Sequence, residues 1–421
     1  MTMHANNLLN KKKIVNDPVY GFIDFPANKI FDLVEHPWFQ RLRRIKQLGL
    51  TELVYPGAIH TRFHHALGAT HLMQLALDVL QSKGQEITKA EAEGAYLAIL
   101  LHDIGHGPFS HALEHHIVNV AHEDISLIFM NELNNTMNGA LDLAIDIFTN
   151  KYHKGFLHQL VSGQLDVDRL DYLRRDSFFT GVSEGVVSSD RILKMLDVVD
   201  DNLVVEKKGI YSIEKYLIAR RLMYWQVYLH KTVNSAEQML LSILKRAKQL
   251  AKQGVDLFAS PSFQFFLYHD VEISDFESIA ATSNNCSVLN EFSRLDDNDL
   301  ISSIKVWTNH SDKTLAELCK QLINRKLFRT IIQEKPFDKA QIENLTKKVA
   351  ESYKISIEDS AFFVISDSME NSTYHQNTDK ILIKEKTGEV TEIVNVADML
   401  NIRALSGTVS KYFLSYPKEI V

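Results

Sequence analysis

Cysteine is scarce in this chain, and long uncharged apolar stretches are absent from its sequence. The 421 residues include two cysteines, Cys286 and Cys319, so a fold built on several disulfides is excluded and a reducing compartment is favoured. Both cysteines lie far from the histidines described below, which argues against a zinc–thiolate site. No stretch approaches the ~18 uncharged apolar residues of a membrane helix, and the first residues do not resemble a signal peptide. We therefore expect a cytoplasmic protein with no membrane partner.

Glycine, proline and net positive charge are also limited. With 17 Gly, 8 Pro and 45% hydrophobic residues, the composition is that of an ordinary globular protein. The formal net charge is -7, a sign that repels nucleic acid unless basic residues are concentrated locally. The run of Arg41, Arg43, Arg44 and Lys46 is either a solvated helix face or the contact surface of a single-strand binder. No stretch interleaves basic and aromatic residues, so nucleic-acid binding is not expected.

Helical patterns dominate the sequence and predict a mostly α fold. Thr88 and Glu91 form a capping-box pattern before an apolar segment that ends near Gly105. A second helical pattern runs from about Ser212 to Gln253. Along it, two cations and two aromatic residues recur at helical spacing: Arg221, Tyr224, Tyr228 and Lys231. Their common face is either a solvated or interface surface, or the lining of a ligand site.

Strand patterns are few. Segments 203–205 and 209–211 suggest a small hairpin, and segments 361–365 and 380–393 suggest a C-terminal sheet that turns at Gly388. We place a boundary near residue 330. It separates a helical domain of residues 1–330 from a smaller α+β region of residues 331–421.

Histidines cluster in one segment of the chain. Ten of the 18 fall between residues 60 and 122, where an even spread would place about three. They are His60, His64, His65, His71, His102, His106, His111, His115, His116 and His122. Because imidazole is the commonest metal ligand and a proton donor near neutral pH, the cluster predicts a chemical centre. Within it we interpret His60, His71, His115 and His116 as ordinary structural histidines.

The adjacent residues His102 and Asp103 follow an apolar helical segment. Burying such ionisable side chains is costly unless they are hydrogen-bonded or hold a cation. A metal bound by both side chains would remove this cost. His65 and Asp168 are the best candidates for further ligands, because each lies in a polar cluster that interrupts apolar sequence. A set of imidazoles and carboxylates suits Mn, Fe, Ni, Co, Zn or Mg. The alternative is that the aspartates of 166–171 form the solvated start of a helix.

The order of these residues resembles a known signature. His65, His102, Asp103 and Asp168 match the H…HD…D pattern of the HD superfamily of metal-dependent phosphohydrolases. Longer motifs resemble the deoxynucleoside triphosphate triphosphohydrolases within it, which include bacterial dGTPases and the SAM-and-HD-domain dNTPase. These motifs lie at residues 16–18, 39–49, 62–68, 102–111 and 166–176. The resemblance covers most of residues 16–235.

The resemblance implies a mostly α fold, with an HD-domain helical catalytic core and a smaller α+β C-terminal region. It also implies metal-dependent hydrolysis of a deoxynucleoside triphosphate (dNTP), with dGTP favoured, to deoxynucleoside and inorganic triphosphate. The implied metal ligands are His65, His102, Asp103 and Asp168. Further implied catalytic residues are His111 as general acid at the 5′-oxygen, Glu114 behind it, and His106, His122 and Glu123 in the surrounding acid–base shell.

The resemblance also assigns substrate contacts, in three groups. Phosphate contacts are Arg62 and Arg169, with Lys231 as a further candidate. Contacts to the sugar 3′-hydroxyl are Gln47, Tyr172 and Asp176. The residues that close off the space a 2′-hydroxyl needs are Leu48 and Tyr228.

Three residues near the N-terminus suggest regulation. Glu35, Gln40 and Arg43 match the positions by which the SAM-and-HD-domain enzymes bind an activating guanine nucleotide between subunits. A nucleotide effector and a homo-oligomer are therefore expected from the resemblance. The alternative for Glu35 and Arg43 is an ordinary salt bridge beside a helix.

Other activities stay open at this point. HD proteins also hydrolyse cyclic dinucleotides or stringent-response nucleotides, and a nucleotide sensor with weak catalysis is a third possibility. The complete set of metal-ligand candidates argues against an inactive centre.

Overall fold

The computed structural model describes residues 14–25, 28–277, 287–371, 374, 379–397 and 407–420, and Cys286 lies outside them. Most of the described chain is helical, which confirms the predicted mostly α fold. Among these residues, we find no helix with the length and apolar character needed to cross a membrane.

The N-terminal half contains an antiparallel hairpin followed by helices. The hairpin strands are β1 (Ile14–Asp17) and β2 (Gly21–Asp24). The helices are α1 (Asn28–Val34), α2 (Pro37–Gln40), α3 (Arg62–Ser82), α4 (Lys89–Leu101), α5 (His122–Thr136), α6 (Asp142–Phe148), α7 (Gly155–Val161), α8 (Val167–Thr180) and α9 (Ser189–Met195). The long helix α3 packs against both α4 and α8. It is therefore the central helix of this half.

The second half alternates helices with short strands. Its middle part has β3 (Leu196–Val199), β4 (Asn202–Glu206), α10 (Ile210–Met223), a π-helical turn (Tyr224–Tyr228) and α11 (Lys231–Lys252). Helices α12 (Pro261–Tyr268), α13 (Ile273–Glu277), α14 (Val288–Phe292), α15 (Asp297–Trp307) and α16 (Lys313–Ile323) follow. The last part has β5 (Arg329–Gln333), α17 (Lys339–Tyr353), α18 (Ile357–Ser360), β6 (Ile365–Asn371), β7 (Leu382–Lys384), β8 (Val390–Glu392), α19 (Ile393–Val396) and β9 (Val409–Tyr416).

The predicted capping box at the start of α4 is confirmed. The Thr88 hydroxyl accepts the Glu91 N–H at 3.2 Å, and the Glu91 carboxylate accepts the Thr88 N–H at 2.7 Å. These bonds satisfy two backbone donors that the first helical turn leaves unpaired. Helix α4 then ends at Leu101, which places His102 and Asp103 directly at its C-terminal end.

The prediction of a single helix over 212–253 is wrong, because the helix is interrupted at His230. This residue has an extended backbone (φ -62°, ψ 128°), and its ring accepts the N–H of Thr232 as the cap of α11. The π-helical turn lies just before this break. As a result, Lys231 starts a new helix and is exposed, so it does not continue the face of Tyr224 and Tyr228.

Two strand pairings also differ from the prediction. The partner of β4 in the hairpin is β3, with Leu196 opposite Val205, whereas Gly209 leads into α10. The turn at Gly388 joins β7 and β8 as predicted, but β6 pairs with β9 instead. Strand β7 pairs in parallel with β4, so one sheet combines strands from both sides of residue 330. A pattern of alternating residues indicates a strand but not its partner.

A buried ion network joins α3, α8 and the N-terminal hairpin. Arg175 donates to both oxygens of Asp171 at 2.9 and 3.0 Å, and to Asp17 at 2.7 Å. The other oxygen of Asp17 accepts two backbone N–H groups of the turn between β1 and β2. Helix α3 approaches this network at Gly68, where an added Cβ would lie 2.1 Å from Asp171 and 2.2 Å from Arg175. Glycine at 68 is therefore required by the close approach of α3 to α8.

We expect Gly68→Ala to destabilise the protein by about 3 kcal/mol, because it separates a buried ion pair. Urea unfolding measures this loss. The matched control is Gly155→Ala, where the nearest atom to a new Cβ lies at 3.5 Å, and it should change the free energy of unfolding by less than about 0.5 kcal/mol. Equal effects of the two variants would contradict the close-approach argument.

Candidate active site

The four predicted metal ligands converge in space from three helices. His65 is in the first turn of α3, His102 and Asp103 follow α4, and Asp168 is in the first turn of α8. His65 Nε2 lies 3.0 Å from Asp168 Oδ1 and 3.4 Å from His102 Nε2. Asp103 Oδ1 lies 3.4 Å from His102 Nε2. The group His65, His102 and Asp168 is close enough for its ligand atoms to hold one metal ion.

The hydrogen bonds of the two imidazoles fit this use. His65 Nδ1 is 2.7 Å from Asp171 Oδ2, and His102 Nδ1 is 2.6 Å from the carbonyl oxygen of Ile99. Because both partners accept, each Nδ1 carries a hydrogen and each Nε2 faces the cluster, where its lone pair can bind a metal once the proton it shares with Asp168 has left. Two imidazole nitrogens with carboxylate oxygens suit a borderline divalent metal such as Mn, Fe, Co, Ni or Zn.

Charge and hydrogen bonding favour the ionised carboxylates here. Burial raises the pKa of Asp168, but hydrogen bonds from His102 and His65 outweigh it and hold the pKa below its ordinary value. Burial lowers the pKa of His65, whereas hydrogen bonds to Asp168 and Asp171 raise it to about 10. A metal that binds His65 Nε2 must therefore displace a proton.

A second cluster contains the predicted acid–base residues. Glu114 binds His111 Nδ1 at 2.7 Å and His122 Nδ1 at 2.6 Å, one on each carboxylate oxygen. The rings of His106 and His122 stack with centroids 3.8 Å apart, and His106 Nε2 lies 3.1 Å from Asp103 Oδ1. Glu123 Oε2 lies 3.3 Å from His122 Nδ1. The side chain of His111 is 65% exposed, so the second cluster presents one oriented imidazole to a ligand.

Two buried residues that sequence reasoning did not assign hold the loop between the clusters. Arg41 is fully buried and donates to the carbonyl oxygens of Ile104 and His106, so its interpretation as part of a solvated face is wrong. Asp297 accepts the N–H groups of Phe109 and Lys46 at 2.7 and 3.0 Å. Phe109 and Ser110 have φ values of 57° and 54°, a costly conformation for non-glycine residues that these bonds stabilise.

The predicted sugar contacts meet on a further histidine. Asp176 is buried, and its two oxygens bind the Tyr228 hydroxyl at 2.7 Å and His60 Nε2 at 2.7 Å. His60 stacks on Phe179 with ring centroids 4.5 Å apart. Its burial and its bond to Asp176 agree with the interpretation as a structural histidine, and the same bond fixes a predicted substrate contact. Nothing in the sequence near His60 indicates a partner 116 positions away.

One amide in this region lacks a partner. The side-chain oxygen of Gln47 is buried and accepts no hydrogen bond from the described residues, and its backbone N–H donates to the carbonyl oxygen of His60 at 3.0 Å. A buried acceptor without a donor is costly, so a ligand hydroxyl would satisfy it. Tyr172 packs edge-on against Tyr228 at 6.3 Å between ring centroids. Leu48 is half-buried against the core.

Cations surround the first cluster. Arg62 is buried and binds Asp103 and the Ser110 hydroxyl. Arg169 binds Asp166 at 3.0 Å. The aspartates Asp166 and Asp171 are buried, so the alternative of a solvated helix start is wrong for them. In the described part of the chain, Lys231 makes no hydrogen bond or ion pair with these residues.

Arg220 is a functional candidate that sequence reasoning missed. It lies in α10 and is buried. Burial and the charge of Arg169 lower its pKa, but Tyr172 and Tyr216 outweigh them and hold the pKa above its ordinary value. Arg220 is buried and Arg169 is half-buried, and two neighbouring guanidinium groups are typical of an anion site.

The predicted effector residues are only partly connected. Gln40 donates to the carbonyl oxygen of Val34 at 2.7 Å, and Arg43 donates to Gln40 at 2.8 Å. The Arg43 guanidinium lies 3.5 Å from the centroid of the Phe63 ring. Glu35 is exposed, and no ion pair joins it to Arg43 within the residues described here. The salt-bridge alternative is therefore wrong, and the effector role stays a prediction.

Comparison with known families agrees with this site. The chain matches the HD domain over residues 62–173, a range that includes all four predicted metal ligands. The chain belongs to the HD-domain family of phosphohydrolases. The HD-associated region matches residues 187–259, which contain Arg220 and Tyr228 and so extend the family beyond the HD domain itself.

Individual HD-domain relatives cover different shares of the chain. The uncharacterized protein YwfO of Bacillus subtilis is 30% identical over 99% of this chain and 95% of its own length. A deoxynucleoside triphosphate triphosphohydrolase SAMHD1 homolog of Dictyostelium discoideum is 32% identical over 57% of this chain and 50% of its own length. A phosphohydrolase of Bacteroides thetaiotaomicron with a known crystal structure is 54% identical, with a TM-score of 0.92 over 96% of this chain and 100% of that chain.

We expect Asp103→Ala to remove the bound metal, measured by elemental analysis, while urea unfolding stays cooperative. The control Asp190→Ala removes a carboxylate that is 70% exposed and should leave the metal content unchanged.

Because His65 must lose its proton, metal affinity should rise at least about tenfold per pH unit between pH 6 and 8. An affinity independent of pH would contradict His65 as a ligand.

Proposed function

We propose that the protein hydrolyses a dNTP, with dGTP preferred, to the deoxynucleoside and inorganic triphosphate. The observation that carries the proposal is the placement of an oriented, exposed imidazole, His111 on Glu114, beside a metal-ligand cluster and buried cations. The name of the Dictyostelium discoideum relative, a dNTP triphosphohydrolase homolog, supports the same activity.

In this proposal His65, His102, Asp103 and Asp168 hold one divalent metal. When bound, such a metal polarises the α-phosphorus and lowers the pKa of a water molecule toward ~7. Arg62, Arg169 and Arg220 bind the phosphate oxygens and offset the charge of the triphosphate. Local cations are needed because the protein carries a net charge of -7.

His111 completes the reaction from the other side of the phosphorus. The water oxygen forms a bond to the α-phosphorus, and the bond from that phosphorus to the 5′-oxygen breaks. The imidazolium of His111 gives its proton to the 5′-oxygen, and Glu114 keeps the ring in place. The water protons leave with the triphosphate and solvent. General acid transfer of this kind contributes ~10²–10⁴-fold to the rate.

Sugar recognition uses the residues around Asp176 and Gln47. Gln47 offers its unpaired oxygen to the 3′-hydroxyl, and Asp176 and Tyr172 complete that contact. The ring of Tyr228 and the side chain of Leu48 fill the space beside C2′. A ribonucleotide would place its 2′-hydroxyl against these groups and lose affinity for the site.

Regulation belongs to the same proposal. A guanine nucleotide at Glu35, Gln40 and Arg43, held between two copies of the chain, would activate the enzyme. The Glu35 carboxylate and the Arg43 guanidinium supply the acceptor and the donors that a guanine edge and a phosphate need. Binding would be reciprocal, so the effector should bind more tightly when substrate is present.

We expect His111→Ala to lower turnover on dGTP at least about 100-fold with a small change in KM, because it removes a proton donor used in the transition state. Chromatography of the products should give triphosphate and deoxynucleoside in equal amounts in the wild type. Release of monophosphate, pyrophosphate or a linear dinucleotide as the first product would reject the assignment.

The control for this variant is His115→Asn. His115 is exposed in the same segment with φ 61°, a conformation that Asn tolerates, and turnover should stay within about twofold of the wild type.

We expect Tyr228→Ala to relax the preference for dGTP over GTP, because it opens space beside C2′. Tyr228→Phe keeps the ring and loses only the hydroxyl bond to Asp176, so it should retain the preference. The measurement is kcat/KM for both nucleotides, and a change of about tenfold separates the two variants. Equal hydrolysis of GTP and dGTP by the wild type would remove the steric argument.

A further inference from the structure

Glu237 lies where three segments of the chain meet. It is in the second turn of α11, opposite Gly49 and the short helix that carries His111 and Ala112. A side-chain carbon at Gly49 would lie 3.8 Å from Glu237 Oε1 and 4.0 Å from Ala112 Cβ. The Glu237 carboxylate therefore lies beside the residue that follows Leu48, and α11 contacts the short helix that carries His111.

The Glu237 carboxylate has no protein partner in the described part of the chain, where it makes neither a hydrogen bond nor an ion pair. The residue is half-buried, and burial raises its pKa to about 7. A partly desolvated carboxylate without a donor is costly for folding. A ligand that supplies donors to this carboxylate would therefore gain affinity.

The neighbouring residues indicate which part of the ligand this is. In the proposed function, Leu48 lies beside C2′ of the sugar and His111 lies beside the 5′-oxygen. The base is attached at C1′, which is bonded to C2′, so it extends past Leu48 toward residue 49. Gly49 has φ 51°, and an added Cβ would lie 3.2 Å from the carbonyl oxygen of Phe109, so glycine keeps this position beside Glu237 free of a side chain.

We propose that Glu237 selects guanine by accepting hydrogen bonds from its N1–H and its 2-amino group. This inference rests on the proposed dNTP hydrolysis. A carboxylate has two acceptor oxygens and matches that pair of donors. Adenine has an acceptor at N1, which a carboxylate repels, and thymine places its one N–H between two carbonyl oxygens. Cytosine has an amino donor beside an acceptor at N3, so guanine is the base that presents two adjacent donors to Glu237.

The test is the base preference of kcat/KM in the wild type and in Glu237→Gln. We expect the ratio of dGTP to dATP to fall at least about tenfold in the variant, because an amide offers one acceptor where the carboxylate offers two. The control is Glu343→Gln, which removes the same charge from an exposed position on α17 and should keep the wild-type ratio. Thermal unfolding checks that both variants are folded.

A second measurement needs no variant. The nucleotide dITP lacks the 2-amino group and keeps N1–H, so the wild type should hydrolyse it about tenfold less efficiently than dGTP. Equal efficiency on dGTP and dITP would overturn the inference, as would an equal loss on all four dNTPs in Glu237→Gln. If no dNTP yields triphosphate, the proposed function itself fails; hydrolysis with an unchanged base ratio refutes only the role of Glu237.

Discussion

The Asp171 carboxylate is the interaction on which the rest of this structure depends. It accepts two hydrogen bonds from Arg175 and one from His65, all inside the core. Removing such a carboxylate would leave the buried Arg175 with one of its two carboxylate partners, Asp17, and a broken buried ion pair of this kind costs several kcal/mol. The same group fixes the ring of His65, the distance between α3 and α8, and, through Arg175 and Asp17, the N-terminal hairpin. The same carboxylate therefore supports both the stability of the fold and the orientation of a predicted metal ligand.

The two histidine clusters have different kinds of support. The metal-ligand cluster is built on helix ends, where short segments of rigid backbone hold each donor. The acid–base cluster follows a loop with two left-handed residues, Phe109 and Ser110. That loop keeps its shape because Arg41 and Asp297 bind its backbone from the interior. Strain of this kind is common where a side chain must be aimed at a ligand.

Sequence-based prediction succeeded for features that depend on neighbouring residues or on a characteristic set of side chains. The capping box at Thr88 and the succession of His65, His102, Asp103 and Asp168 could be predicted, because neighbouring residues determine a helix end and because few side-chain sets bind metals. His60, Arg41 and Arg220 could not be predicted, since their roles depend on partners far away along the chain. The break at His230 was missed because a capping histidine also fits the interior of a helical pattern. Strand partners were missed for the general reason that alternation carries no information on pairing.

The parallel pairing of β4 with β7 has a consequence for synthesis of the protein. Val204 lies opposite Leu382, and Lys384 binds Asp197 at 2.7 Å. While the ribosome produces the intervening residues, β4 has an open edge on the side that β7 will later occupy. Such an edge pairs readily with other strands, and contacts between distant parts of a chain form slowly. The nascent chain thus exposes an unpaired strand edge at β4, which precedes the helix α10 that carries Arg220. The edge stays unpaired until the C-terminal part of the chain emerges and β7 pairs with it.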